Sequence, residues 1–254
     1  MATITDHGLV LRQWEFSETS QTVLLFCRTH GLLRGLAKGA HRDKAPFSGG
    51  FELLTRGEIV AIPKGANDLA NLIEWDLQEV FWGPRRSWSC YQSGLYIIDV
   101  LRHMLIDADP HPMLFDGAVA ALRALGQATD PQAILTFQWL VLHETGYEPR
   151  LELDQSEPSR AAAFGFDPQT GGLTTDPGPG SADTPWRVRR GTVEVLRHVR
   201  DQGDPGPARP EQVDRAMRLL GQYLRLLGGQ ERGEGVALLG AEPLVRSRRA
   251  GAVR

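Results

Sequence analysis

The chain has 254 residues, 41% of them hydrophobic, and a formal net charge of -3, which is enough apolar material for a sizeable core in one or two domains. The slight acidity excludes a globally basic polyanion binder, so any nucleic acid must be held by a local patch. Asp6, Arg12, Glu15 and Glu18 leave no signal-peptide core, no apolar run reaches the roughly 20 residues of a membrane helix, and the distant Cys27 and Cys90 read as reduced thiols of a cytoplasmic protein.

Residues 8–16 and 21–28 are rich in Val, Leu, Trp and Phe, and Thr29-His30-Gly31 supplies a tight connection with glycine where positive φ is wanted. Residues 32–40, 51–62 and 69–80 continue the pattern, the last two split by the turn-rich stretch 63–68. Five strands in about 75 residues predict a small closed barrel, of oligonucleotide-binding or SH3-like type, over residues 1–82.

Gly83-Pro84 ends the barrel, and residues 83–254 read as helical. Trp88, Tyr91, Leu95, Ile98, Leu101 and Leu105 recur at threes and fours behind a candidate N-cap, Ser87. A second helix carries Leu114, Ala118, Leu122 and Leu125. A third opens near Asp130-Pro131 and contains FQWLVL, apolar on most sides, which suits the middle of a bundle.

Residues 147–185 break the period, with seven acids against two bases and a proline- and glycine-rich run over 176–185. Short strands are expected at 163–166 and 172–174, with a mobile tail. Helical spacing returns at 192–200 and 211–227, in a region where fourteen Arg from residue 185 onward outnumber eight acids. Most of these arginines read as solvated helix faces, and a second anion-binding surface is the alternative.

The functional signal is concentrated in residues 29–44, THGLLRGLAKGAHRDK. Arg28 at its edge, then Arg34, Lys38, Arg42 and Lys44, face a single carboxylate, Asp43. If the segment is extended, the last four share one side, because strand side chains alternate with period two. A row of cations beside Gly31, Gly35 and Gly39 suits a sugar-phosphate backbone. The competing reading is a solvated hairpin whose charges keep an edge strand soluble. Trp14 and Phe16 are the aromatic candidates for stacking on bases, although at least one is expected in the barrel core, since both lie on one side of a regular strand.

Catalytic patterns are missing. Lys38 precedes Gly39, so no P-loop spacing occurs, and His143-Glu144 is followed by Tyr147 where H-E-x-x-H requires histidine. No G-x-S-x-G elbow is present, and neither cysteine has an evident activating histidine. The residues give no sign of an enzyme.

The N-terminal string GLVLRQWEFSETSQTVLLFCRTHGLLRGLAKGAHRDKAPFSGGFELLTRGEIV resembles the opening of the RecO family of bacterial recombination mediators. The carriers are Glu18, the Thr29 to Gly31 hairpin and Ala37-Lys38-Gly39-Ala40. Residues 69–80 look like the family's last barrel strand, 91–105 like its first long helix, and FQWLVLHETGYEPRLEL like its Gly-Tyr-x-Pro-x-Leu turn. The resemblance implies an α+β fold, a five-stranded OB-fold barrel on a helical domain. It also implies single- and double-stranded DNA as ligands, strand annealing, and a cytoplasmic, nucleoid-associated location. The implied partners are RecR, the C-terminal tail of single-strand-binding protein and, indirectly, RecA.

Many family members carry a zinc ribbon after the Gly-Tyr-x-Pro turn, and this chain departs from them there. Asp154, Glu157, Thr174 and Pro177 stand where its cysteines would align, and neither Thr nor Pro replaces a thiolate, so residues 147–185 are expected to form an insertion without zinc, and no cofactor is expected. A protein-interaction adaptor, its basic hairpin gripping an acidic protein tail, is the alternative function.

Overall fold

The computed structural model describes residues 2–42, 45–64, 68–126, 130–153, 161–179 and 185–230. The chain opens with β1 (Ile4–Ser17), β2 (Ser20–Cys27), β3 (Gly31–Ala37), the two-residue β4 (Phe47–Ser48), β5 (Thr55–Ile62) and β6 (Ala70–Val80). Their order in the sheet is β3-β2-β1-β5-β6-β4, and a further parallel pairing of β3 with β6 joins the two sides. Five strands therefore close on themselves as the Greek-key barrel of the oligonucleotide-binding fold. Gly35 permits that closure, since a Cβ there would stand 2.3 Å from Leu72 Cδ2.

Alternation along the strands sorts the apolar residues into two cores. Val10, Val23, Leu25, Cys27, Ala37, Ile59, Ala61, Leu72 and Trp75 fill the barrel, with Phe47 and Phe51 packed at its side. Leu9, Leu11, Leu24, Phe26 and Leu32 point outward and join the helical core. Phe26 meets Phe115 edge-on, ring centroids 5.6 Å apart.

A 3-10 turn, Pro84–Arg86, leads into α1 (Trp88–Met104), α2 (Pro112–Ala124) and α3 (Pro131–Glu144). Ser87 caps α1 by accepting from the Cys90 amide, and Asp130 caps α3 by accepting from Gln132 and Ala133. As its all-round apolarity predicts, α3 packs against α1 and α2 and, further along the chain, α4 (Arg190–Gln202) and α5 (Pro210–Gln230). Between α3 and α4 lies a three-stranded sheet, β7 (Ala163–Asp167), β8 (Gly172–Thr174) and β9 (Trp186–Arg189), in the order β8-β7-β9. Both cysteines are buried free thiols.

Some expectations need correction. β3 ends at Ala37 rather than residue 40, because residues 38–41 fold into a turn. β5 starts at Thr55 rather than 51, and β4 and β9 had no strong sequence signal. Within the stretch expected to be a mobile tail, Asp176 is fixed by two bonds from Arg187, at 2.7 and 3.0 Å, while residues 180–184 lie outside the described residues. No helix among the described residues is long and apolar enough to cross a membrane.

Candidate nucleic-acid interface

Beyond Val10 the β1–β2 ribbon leaves the barrel core: Arg12 to Ser17 are all exposed. A register shift between Val10 and Arg12 inserts one residue, so that Val10 opposes Leu25 while Arg12 opposes Leu24. This bulge reverses the parity of everything after it. Without it Trp14 would face the barrel interior with Val10; with it Arg12 and Trp14 join the outward face of Leu24.

The expectation that Trp14 or Phe16 is core is therefore overturned. Trp14 is 39% exposed and Phe16 61%. The Arg12 guanidinium lies over the Trp14 ring, 4.6 Å from its centroid, a cation–π contact that fixes both groups at the surface. Sequence reasoning missed Arg12, although its spacing of two from Trp14 and four from Phe16 was a readable signal.

Opposed residues on neighbouring strands project from the same face. Arg12 opposes Leu24 and Leu24 opposes Arg34; Trp14 opposes Thr22 and Thr22 opposes Leu36. Lys38 follows Leu36 by two and is exposed. Arg12, Trp14 and Arg34 thus occupy the outer surface of β1-β2-β3, and the exposed Lys38 opens the turn that follows β3. Arg42 is exposed but lies past the end of β3, where the turn folds its side chain back over Gly39. The period-two row therefore ends within β3 at Arg34, and Lys38 and Arg42 are placed by the turn instead. Lys44 lies outside the described residues.

Arg28 is set apart. It sits beyond the other end of β2 and donates from Nε and Nη2 to Asp116 of α2, at 2.9 and 2.8 Å. The same bonds hold the Asp116 carboxyl below its ordinary pKa. Arg34 makes a looser pair with Asp107, 3.4 Å between half-exposed partners, a contact of about 0–1 kcal/mol that a phosphate can displace. Two glycines of this stretch serve internal packing. Gly31 has φ 67° against the Asp109 backbone, and Gly35 abuts Leu72.

A groove of about 240 Å³ runs between β3 and the β5–β6 connection, lined by His30, Arg34, Lys64, Asp68 and Asp107 among others. His30 is placed there by Asp6. The buried carboxylate accepts from the Thr29 amide and hydroxyl, each at 2.9 Å, and from the His7 amide at 2.8 Å, and lies 2.7 Å from His30 Nδ1. Burial raises the Asp6 pKa, but these bonds outweigh it and the net direction is down. A depressed native pKa gives stability that is present above the ordinary carboxylate range and lost as pH falls below it. Asp6→Ala removes the charged acceptor of these bonds and is expected to cost about 1.5–3 kcal/mol at pH 7. A urea titration checks this, and the difference between wild type and variant should shrink below about pH 4.

No group of three or more His, Cys, Asp or Glu among the described residues is arranged to hold a metal. Thr174 ends β8 and Pro177 follows it, whereas Asp154 and Glu157 lie outside the described residues. His143 and Glu144 are engaged separately, with Glu148 and His111.

The chain matches the family profiles described as "Recombination protein O N terminal" over residues 1–81 and "Recombination protein O C terminal" over residues 85–233. It is similar to the "DNA repair protein RecO" of Rhodopirellula baltica, 37% identical over 143 residues that make up 56% of this chain and 53% of that protein. The protein of the same name from Myxococcus xanthus is 28% identical over 223 residues, 86% of this chain and 90% of that one. For the protein from Laribacter hongkongensis the identity is 31% over 168 residues, 65% and 68% respectively.

Proposed function

The chain belongs to the RecO family of DNA repair proteins, and from that membership we propose that it is a non-enzymatic recombination mediator that holds single-stranded DNA on the outer face of β1-β2-β3. The observation that carries this reading is the exposed Arg12–Trp14 pair on the same face as Arg34, with the exposed Lys38 just past the end of β3. Cations contact phosphates, and Trp14 and Phe16 stack on unpaired bases, each stack contributing about 1–3 kcal/mol. Arg42 extends the cationic track past the strand end. Arg28 holds the barrel to α2 and is not part of the track.

Four contacts at roughly 0.7 each give a log-log salt slope near -3 on single strands. A strand with its charge neutralised and its bases accessible is ready to pair, so annealing follows from binding. Double-stranded DNA is held through the same phosphate contacts. Association with RecR and with the tail of single-strand-binding protein, and help in loading RecA, complete the proposed role. The adaptor alternative is less well supported, because an acidic tail held by the cations leaves the exposed Trp14 and Phe16 rings without a role.

Annealing of complementary oligonucleotides coated with the cognate single-strand-binding protein tests the proposal. The chain is expected to speed annealing and to lose that effect at high salt. An annealing rate no faster than that of the coated strands alone would reject it.

A further inference from the structure

At the junction of barrel and helices the chain reads FWGPRRSW, and two of its aromatic rings stand in solvent. Trp82 is 64% exposed and Trp88 68%, both more than Trp14. They are not carried on a loose segment. Phe81, Pro84 and Cys90 are buried, and Gly83 is pressed so closely on the end of α2 that a Cβ would stand 1.6 Å from the Leu125 carbonyl oxygen. The Arg85 guanidinium lies 5.8 Å from the Trp82 ring centroid and donates to Glu52 and to the Leu53 carbonyl, both at 3.0 Å. Arg86 is exposed beside it. Tyr91 backs Trp88, ring centroids 6.1 Å apart and planes 29° apart.

We propose that Trp82, Arg85, Arg86 and Trp88 form a second platform for single-stranded nucleic acid, separate from the outer barrel face. Exposed rings held rigidly beside arginines suit unpaired bases and their phosphates, which need flat surfaces and positive charge. A peptide anchor needs a concave pocket instead, and the grooves at β3 and between α4 and α5 are lined by other residues. Register places the platform usefully. Leu9 of β1 opposes Arg56 of β5, which opposes Glu79 of β6. Beyond that row β1 runs on to Arg12 and the chain leaves β6 at Val80 for Trp82, so the Arg12–Trp14 ribbon and Trp82 lie on the same side of it. Resting on the DNA reading above, a second site there holds the second strand while the first lies on β1-β2-β3.

The test uses the full chain and two non-complementary oligo-dT strands, one carrying a donor dye and one an acceptor. Wild type is expected to bring both strands together and give energy transfer. Trp82→Ala with Trp88→Ala should bind a first strand within twofold of wild type, yet bind the second at least tenfold more weakly, consistent with the loss of two stacks. Trp82→Phe with Trp88→Phe should restore second-strand affinity to within threefold, which a merely structural role would not do. Unchanged second-strand affinity in the alanine pair, with annealing intact, overturns the platform and leaves the barrel site standing. A phenylalanine pair as defective as the alanine pair also overturns it. So does intact strand binding by the alanine pair together with lost binding of an acidic peptide, which would assign the surface to a protein tail. Absence of any strand binding by wild type removes both sites at once.

Discussion

Replacing Arg12, Arg34 and Lys38 together with alanine is expected to weaken single-stranded DNA binding by about 100-fold at 0.1 M salt and to flatten the salt slope from near -3 to near -1. The estimate follows from counterion release, in which each lost phosphate contact removes roughly 0.7 from the slope and hence about fivefold in affinity at that salt. None of the three side chains supports the core. Arg12 rests on the exposed Trp14 ring, Arg34 makes one loose surface pair, and Lys38 lies just past the end of β3. Folding should therefore be unaffected, and fluorescence anisotropy across several salt concentrations reads the binding term alone. A variant that keeps both affinity and slope shows that phosphates are held elsewhere.

Phe26→Ala is expected to produce the largest loss of stability, about 3–5 kcal/mol. Its ring is fully buried, lies on the outward side of β2, and meets Phe115 of α2 at the seam between barrel and helices. Leu9, Leu24 and Leu32 belong to the same buried cluster, so deleting the ring opens a cavity in the core that joins barrel and helices. Urea unfolding followed both by far-ultraviolet circular dichroism and by tryptophan fluorescence should show a lower midpoint on both signals. A loss under about 1 kcal/mol would mean that the barrel and the helices are not joined through this seam.

Most elements were legible in the sequence because their causes are local. Threes-and-fours spacing marks α1 from Trp88, Ser87 and Asp130 mark helix starts, and β-branched and aromatic runs mark the long strands. What was not legible depends on partners distant in sequence. At least one of Trp14 and Phe16 was expected in the core, but a single bulged residue after Val10 turned Trp14 outward, and nothing in the string WEF announces that shift. The turn at residues 38–41 ended the row of cations after Arg34. Asp107 and Asp116, the carboxylates facing Arg34 and Arg28, come from the helical half of the chain, so local charge counting could not separate free cations from paired ones. Burial assigned Gly35 to barrel closure against Leu72, a contact between strands far apart in the sequence.

The most direct test of the central claim is photocrosslinking of single-stranded DNA substituted with 5-bromodeoxyuridine, with the adducts located by mass spectrometry. Stacking of bases on the projecting β1–β2 ribbon predicts adducts at Trp14 or Phe16, lost when Arg12, Arg34 and Lys38 are replaced. Adducts found only in the helical half, with none on residues 12–42, would contradict it.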